Sequence, residues 1–314
     1  MKKFLIHFFI WSLIALLIAI LLDNMITLGL RKTDIRKFAT WNEIYKGGLK
    51  SDLVIMGSSQ AWCSYNTFIL DSLLNMNTYN LGIDGHGIKF QIIRYDEYRR
   101  FNSKPKIILF NLCFLGSLGI SADDQYEREQ FFPYIRDEIL MSKVAKTKKI
   151  TWFDRHVPLI RYFGYREDFE NGIVSFFGEK EFFDGGMHKG YRGNNYLWDS
   201  GILSKDTLIS FSYNEESVKQ LDMFVRYSIE EGIKIIFVKY PFYAPIRYKF
   251  NCINQSDSIF EAISEKYNIP IIDYYYTSIS MDSTNYYNPT HLNKKGSDIF
   301  TRNLCRDLKT FMDE

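Results

Sequence analysis

Cysteine is scarce in this chain, four in 314 residues (Cys63, Cys113, Cys252 and Cys305), with no C-x-x-C pair and no histidine at ligand spacing. That excludes a zinc ribbon and leaves too few sulfurs for a disulfide scaffold at this length. The four are expected as small buried hydrophobes, with a single disulfide as the alternative. Charge of one sign is lacking too: 39 basic against 37 acidic side chains leave +2, without the basic excess that tracks a phosphate backbone, so no nucleic-acid partner is expected. Repeats and low-complexity tracts are also missing. Aromatic surface is abundant, with 22 Tyr and 26 Phe. Such a composition suits a thick core or stacking on planar or sugar-like ligands.

From Phe4 to Leu22 the chain reads FLIHFFIWSLIALLIAILL, without a formal charge. A run of this length crosses a hydrocarbon layer as a helix, and it is apolar on every face. No small-x-small cleavage site follows, so residues 1–32 are expected to form an uncleaved membrane anchor ahead of a domain at 33–314. Lys2 and Lys3 precede the run while Arg31, Lys32, Arg36 and Lys37 follow it, so the distribution of basic residues does not place the domain outside.

After the anchor, short apolar runs alternate with helical stretches. The runs are DLVIMG at 52–57, TYNLG near 80, KIILFNLCF at 106–114, IKIIFVKYP at 233–241 and IPIIDYY at 269–275. Helices are expected over 68–74, from an Asn214 cap with Glu215 and Glu216 in the first turn, over 256–267, and from about Leu292 to Met312. Five near-continuous apolar strands between helices predict an α/β fold, a parallel sheet covered on both faces. The alternation stops between about 115 and 209, in an aromatic, mixed-charge stretch too long for a bare loop. An inserted helical and irregular subdomain is expected there, over the carboxyl ends of the strands.

Three short blocks carry candidate chemistry. Gly57-Ser58-Ser59-Gln60 follows the first strand, where a hydroxyl faces the ligand crevice and backbone N–H groups can meet an oxyanion. NLGIDGHG at 80–87 follows the second strand, and its glycines let an N–H approach a neighbouring site. Asn288-Pro289-Thr290-His291-Leu292-Asn293 precedes the last helix, with His291 expected at the helix start. Singly, the first and third read more readily as helix caps or surface residues, and the second at least as readily as a flexible loop.

Together and in this order, the blocks resemble the SGNH hydrolase family, also called GDSL-type esterases. Gly57-Ser58-Ser59 resembles the family's Gly-Asp-Ser, NLGIDG its oxyanion block, and Asn288 through Gly296 its Asp-x-x-His-Leu-x-x-x-Gly. The resemblance implies a flavodoxin-like three-layer sandwich with a five-stranded parallel sheet. It implies Ser59 as nucleophile, His291 as base, Asn288 in the orienting position, and the N–H groups of Ser59 and Gly85 as oxyanion donors. Such chemistry needs no metal or cofactor. Two positions depart from the pattern: strand three ends Asn111-Leu112-Cys113-Phe114 in place of Gly-x-Asn, and the triad aspartate is Asn288. An amide can orient an imidazole but carries no charge to stabilise imidazolium.

By architecture the chain resembles membrane-anchored envelope proteins of this family, among them proteins that assist polysaccharide O-acetylation or teichoic acid D-alanylation. That similarity implies an extracytoplasmic domain and ester or acyl-enzyme chemistry on an envelope polysaccharide or acylated glycan. Trp152, Tyr191 and Trp198 are candidates for sugar stacking. The alternative is a non-catalytic domain of the same shape that binds glycan or partners a membrane-bound O-acyltransferase.

Overall fold

Strand residues in a parallel sheet alternate between its two faces, so a strand that is apolar throughout needs cover on both. In the computed structural model, which describes residues 1–113, 118, 126–178, 188–198, 213–250 and 253–312, the apolar runs become strands of this kind. In chain order come α1 (Lys2–Leu30), α2 (Arg36–Lys46), β1 (Leu53–Met56), α3 (Ser59–Ser64), α4 (Thr67–Leu74), β2 (Thr78–Asn80), α5 (Ile88–Phe101) and β3 (Ile107–Leu112). Then follow α6 (Glu138–Val144), α7 (Trp152–His156), α8 (Arg166–Phe176), α9 (Glu215–Glu230), β4 (Lys234–Lys239), α10 (Ile253–Tyr267) and β5 (Ile271–Asp273). The last elements are α11 (Ser278–Met281), the two-stranded hairpin β6 (Tyr286–Asn288) and β7 (His291–Leu292), and α12 (Lys294–Met312).

By internal contacts the chain falls into two units, residues 1–43 with 123–184, and residues 44–122 with 185–314. The second unit holds the five-stranded sheet, in the order β2-β1-β3-β4-β5, every pair parallel. This is the flavodoxin-like order. Leu53, Ile55, Leu109, Ile236 and Val238 face one way and pack with Leu70 of α4 and Phe300 and Leu304 of α12. Val54, Met56, Ile108, Phe110 and Phe237 face the other and pack with Tyr95 and Tyr98 of α5 and Phe224 of α9. Each such fully buried side chain stabilises the fold by about 1.5–3 kcal/mol. The chain leaves β1 towards β2 on one side and returns to β3 on the other, so the carboxyl end of β1 lies at the topological switch point, where such sheets bind ligands.

Helix α9 begins as expected: the Asn214 side chain accepts from the Glu216 N–H at 2.9 Å. Cys63, Cys113 and Cys305 are buried free thiols, and Cys252 lies outside the described residues.

In the first unit, α1 is the one helix among the described residues long and apolar enough to cross a membrane. Its far end is different in kind. Asp23, Ile26, Gly29 and Leu30 are buried, and α1 meets α8 so closely that a Cβ on Gly29 would lie 1.7 Å from the Gly172 carbonyl oxygen. Polar side chains close this unit. Arg161 donates to the Asp23 carboxylate at 2.7 Å, Lys37 bridges Glu129 and Asp168 at 2.8 Å each, and Trp41 donates to Gln130 at 2.7 Å.

Candidate active site

The turn after β1 is made by Gly57, whose φ of +150° lies where side chains are strained. A Cβ there would also stand 2.7 Å from that of Ala61 and 2.8 Å from that of Asn111. Glycine therefore lets the chain pass from strand to helix in two residues. Ser58 faces inward, only 3 % exposed, while Ser59 opens α3 and reaches solvent in part.

His291 was expected at a helix start; it lies instead on β7, the second strand of the small antiparallel hairpin, and α12 begins three residues later. The reason is local. The Asn288 side-chain oxygen accepts from the Thr290 backbone N–H at 3.0 Å, an Asx turn that folds the chain back around Pro289. The loop after β4 holds the hairpin in place: Tyr243 N–H donates to the Pro289 carbonyl at 3.0 Å, and Leu292 N–H donates to the Tyr240 hydroxyl at 2.7 Å.

Ser59 Oγ lies 2.7 Å from His291 Nε2, and His291 Nδ1 lies 2.9 Å from Asn288 Oδ1. The proton positions follow from a single fixed donor. A backbone N–H can only donate, so the Asn288 atom facing Thr290 N is its oxygen. That oxygen can only accept, so Nδ1 carries the imidazole proton. Nε2 is then left with its lone pair towards Ser59, as a general base requires. Thr290 Oγ1 adds a contact to each partner, 3.2 Å to Asn288 Oδ1 and 3.0 Å to His291 Nδ1.

Burial pulls the His291 pKa down to about 4, with the Asp84 carboxylate acting weakly in the opposite sense. Part of the residue meets solvent, but the ring is enclosed on nearly all sides, and this enclosure sets the direction. The ring is therefore neutral at pH 7 and free to take a proton. Asp273 and Asp282 are engaged elsewhere: Asp273 accepts from Tyr275 N–H at 2.8 Å and Asp282 from Thr284 N–H at 2.9 Å.

Beneath the pair runs a second polar chain that sequence reasoning missed. Gln60 Nε2 donates to the Thr290 carbonyl at 3.1 Å, Asn111 Nδ2 donates to Gln60 Oε1 at 3.5 Å, and Tyr65 Oη donates to Asn111 Oδ1 at 2.8 Å. All three side chains are buried. The carbonyl can only accept, which orients both amides in turn. Gln60 thus ties the residue after Ser59 to the turn that carries His291. In the sequence its one signal was adjacency to Ser59; that of Thr290 was its place two residues after Asn288, where an Asx turn closes.

Among the other expected residues, Gly85 has φ +66° in the loop after β2. Ile83 N–H donates to the Gly57 carbonyl at 3.0 Å and lays this loop along the end of β1. Trp198 is half-buried against Tyr243, ring centroids 5.0 Å apart, and its backbone N–H donates to the Tyr286 carbonyl at 3.0 Å, beside the hairpin. Tyr191 is a core residue whose hydroxyl is 3.0 Å from Ser297 Oγ. Trp152 belongs to the first unit, on α7.

No family model matches the chain, and no curated protein does. Among solved structures it is similar to a protein described as an acylhydrolase from Bacteroides fragilis, at 12% identity and TM-score 0.41, covering 86% of this chain and 93% of that one. It is similar to a GDSL-like lipase from Bacteroides thetaiotaomicron, at 12% identity and TM-score 0.40, covering 86% and 95%. A lipolytic protein of the G-D-S-L family from Desulfitobacterium hafniense has 12% identity and TM-score 0.40, covering 82% and 99%.

Proposed function

We propose that this chain is an SGNH-type serine esterase or O-acyltransferase, held to a membrane by α1 with its catalytic unit outside the cytoplasm, and acting on acyl esters of an envelope polysaccharide. The observation that carries the reading is the directed hydrogen-bond path from Thr290 N–H through Asn288 and His291 to Ser59.

His291 Nε2 takes the Ser59 proton as Oγ forms a bond to the acyl carbon, and the carbonyl electron pair moves onto oxygen. The N–H groups of Ser59 and Gly85 hold that oxyanion. Collapse breaks the bond to the alcohol, which leaves with the proton from His291, and acyl-Ser59 remains. Water or a sugar hydroxyl, deprotonated by the same nitrogen, then takes the acyl group and restores the serine. The outcome depends on which acceptor Trp198 and its neighbours seat at the hairpin.

A second reading keeps the shape and drops the catalysis, and the uncharged Asn288 favours it. A fluorophosphonate probe applied to the full chain in detergent separates the two. An adduct on Ser59 that is absent from Ser59→Ala supports the esterase or transferase reading. An inert Ser59, with ester turnover also absent, supports the binding domain.

A further inference from the structure

Exposed large apolar side chains are unusual when clustered, and here they cluster in one short stretch of the first unit. In WFDRHVPLIRYF, residues 152–163, Trp152 is 62% exposed, Phe153 61%, Ile160 43% and Phe163 88%. Patches of this kind mark an interaction surface.

Its occupant is indicated by where the stretch is tied. The Leu159 N–H donates to Asp23 Oδ1 at 2.9 Å, and Arg161 donates to Asp23 Oδ2 at 2.7 Å and to Thr27 Oγ1 at 2.8 Å. The Tyr162 hydroxyl lies 3.1 Å from the same threonine oxygen. Helix α7 joins the tie, because Arg161 also donates to the Asp154 carbonyl at 3.4 Å. Asp23 is the residue that ends the apolar run. From Phe4 to Leu22 a helix rises about 28 Å, close to the thickness of a hydrocarbon layer. Burial changes at the same point: α1 is largely uncovered through Leu21 and covered at Asp23.

We propose that residues 152–163 form an interfacial segment that seats the first unit on the phospholipid bilayer crossed by α1, with Trp152, Phe153, Ile160 and Phe163 at the boundary between headgroups and acyl chains. Aromatic rings settle at that depth, polar edge outward and apolar body inward. Arg136, exposed and 3.9 Å from Asp23, stands at the same level for anionic headgroups. One face of the Trp152 ring is already taken by His156, at 4.6 Å between centroids, which leaves less of it for a sugar. The proposal rests on reading α1 as a membrane span.

Depth-dependent quenching tests both at once. The full chain is reconstituted in phosphatidylcholine and phosphatidylglycerol vesicles whose acyl chains are brominated either near the carbonyl end or near the middle. Trp11, inside the apolar run, reports the span; Trp152 reports the segment. Expected results are loss of most mid-chain quenching in Trp11→Phe and loss of most shallow quenching in Trp152→Phe. Adding Phe163→Trp to Trp152→Phe should restore the shallow signal. Normal Trp11 quenching with shallow quenching unchanged in Trp152→Phe overturns the proposal and leaves the anchor standing. Absent Trp11 quenching overturns the anchor and the proposal with it.

Discussion

The two units are stabilised by different means. In the second, alternate strand residues meet helices on either face of the sheet, and the interaction is apolar and tolerant of detail. In the first, a buried aspartate, an arginine, a lysine between two carboxylates and a tryptophan–glutamine contact fix particular atoms against particular atoms. An apolar core survives many substitutions of similar volume. A buried ion pair does not survive loss of one partner, because the other is left charged and dry. The hairpin that carries His291 belongs to the second unit by position but resembles the first in its dependence on directed polar contacts.

The largest effect should come from removing the proposed base. His291→Ala is expected to lower ester turnover roughly 10⁴- to 10⁶-fold, the range found when a member of such a constellation is removed. Stability to thermal unfolding should fall by about 1–3 kcal/mol with the fold kept, since loss of the enclosed ring leaves Asn288 and Ser59 without their partner. Ser58→Ala is the matched control, and its turnover should match that of wild type. Collapse of the fold in His291→Ala would mean that the hairpin belongs to the structural framework.

Arg161→Met breaks the polar closure of the first unit. Asp23 loses its 2.7 Å partner inside the protein, so a destabilisation of about 3–5 kcal/mol is expected. Replacing both, Asp23→Leu with Arg161→Met, should recover most of it, because the uncompensated charge is gone. Thermal unfolding in detergent reads both. Ser59 labelling that persists in Arg161→Met would sharpen the contrast between the units; labelling that disappears would show that the second unit leans on the first.

Gln60→Leu tests whether the hairpin is positioned from below. The change leaves the Thr290 carbonyl and the Asn111 amide without their partner, at a cost of about 1–3 kcal/mol. If Gln60 positions His291, kcat should fall roughly tenfold or more while KM holds. Gln60→Glu, which can still accept from Asn111 but no longer donates to Thr290, should show the same fall. A variant that loses stability and keeps kcat would reduce Gln60 to a packing role.

What the sequence made legible follows the same division. All five strands of the sheet were readable because β1, β3 and β4 each carry a run of apolar residues, and Gly57-Ser58 punctuates the first of them. Helix α5 was not, because its buried face includes Gln91, Arg94 and Glu97 among the aromatics and blurs the helical period. Ser59, Asn288 and His291 were visible as blocks, yet the hairpin around His291 was not. Two strands of three and two residues carry no periodicity, and only the Asx turn at Asn288 announces them. Gln60 and Asp23 act through partners 230 and 138 residues away, a kind of contact that no local pattern encodes.

The subtlest change is Asn288→Asp, which keeps the turn and alters only the charge. A carboxylate can accept from Thr290 N–H and from His291 Nδ1–H as the amide oxygen does, so the tautomer should be unchanged. The difference lies in the imidazolium, which a carboxylate stabilises and an amide does not. In wild type, burial holds the His291 pKa near 4, so turnover should lose its acid limb only as pH falls towards that value. In Asn288→Asp the pKa rises, and the limb should move up with it, towards the ordinary histidine range near 6.5. Well above the limb the variant should be faster, because proton transfer from Ser59 now leads to a stabilised cation. The reverse change in a serine protease triad costs about 10⁴-fold, largely through a wrong tautomer; with the tautomer already correct, a gain of roughly tenfold or less is expected. The two pH profiles on one aryl ester decide the matter. An acid limb that stays near 4 in Asn288→Asp would show that the new carboxylate does not reach the ring, and that Asn288 shapes the turn without taking part in the proton transfer.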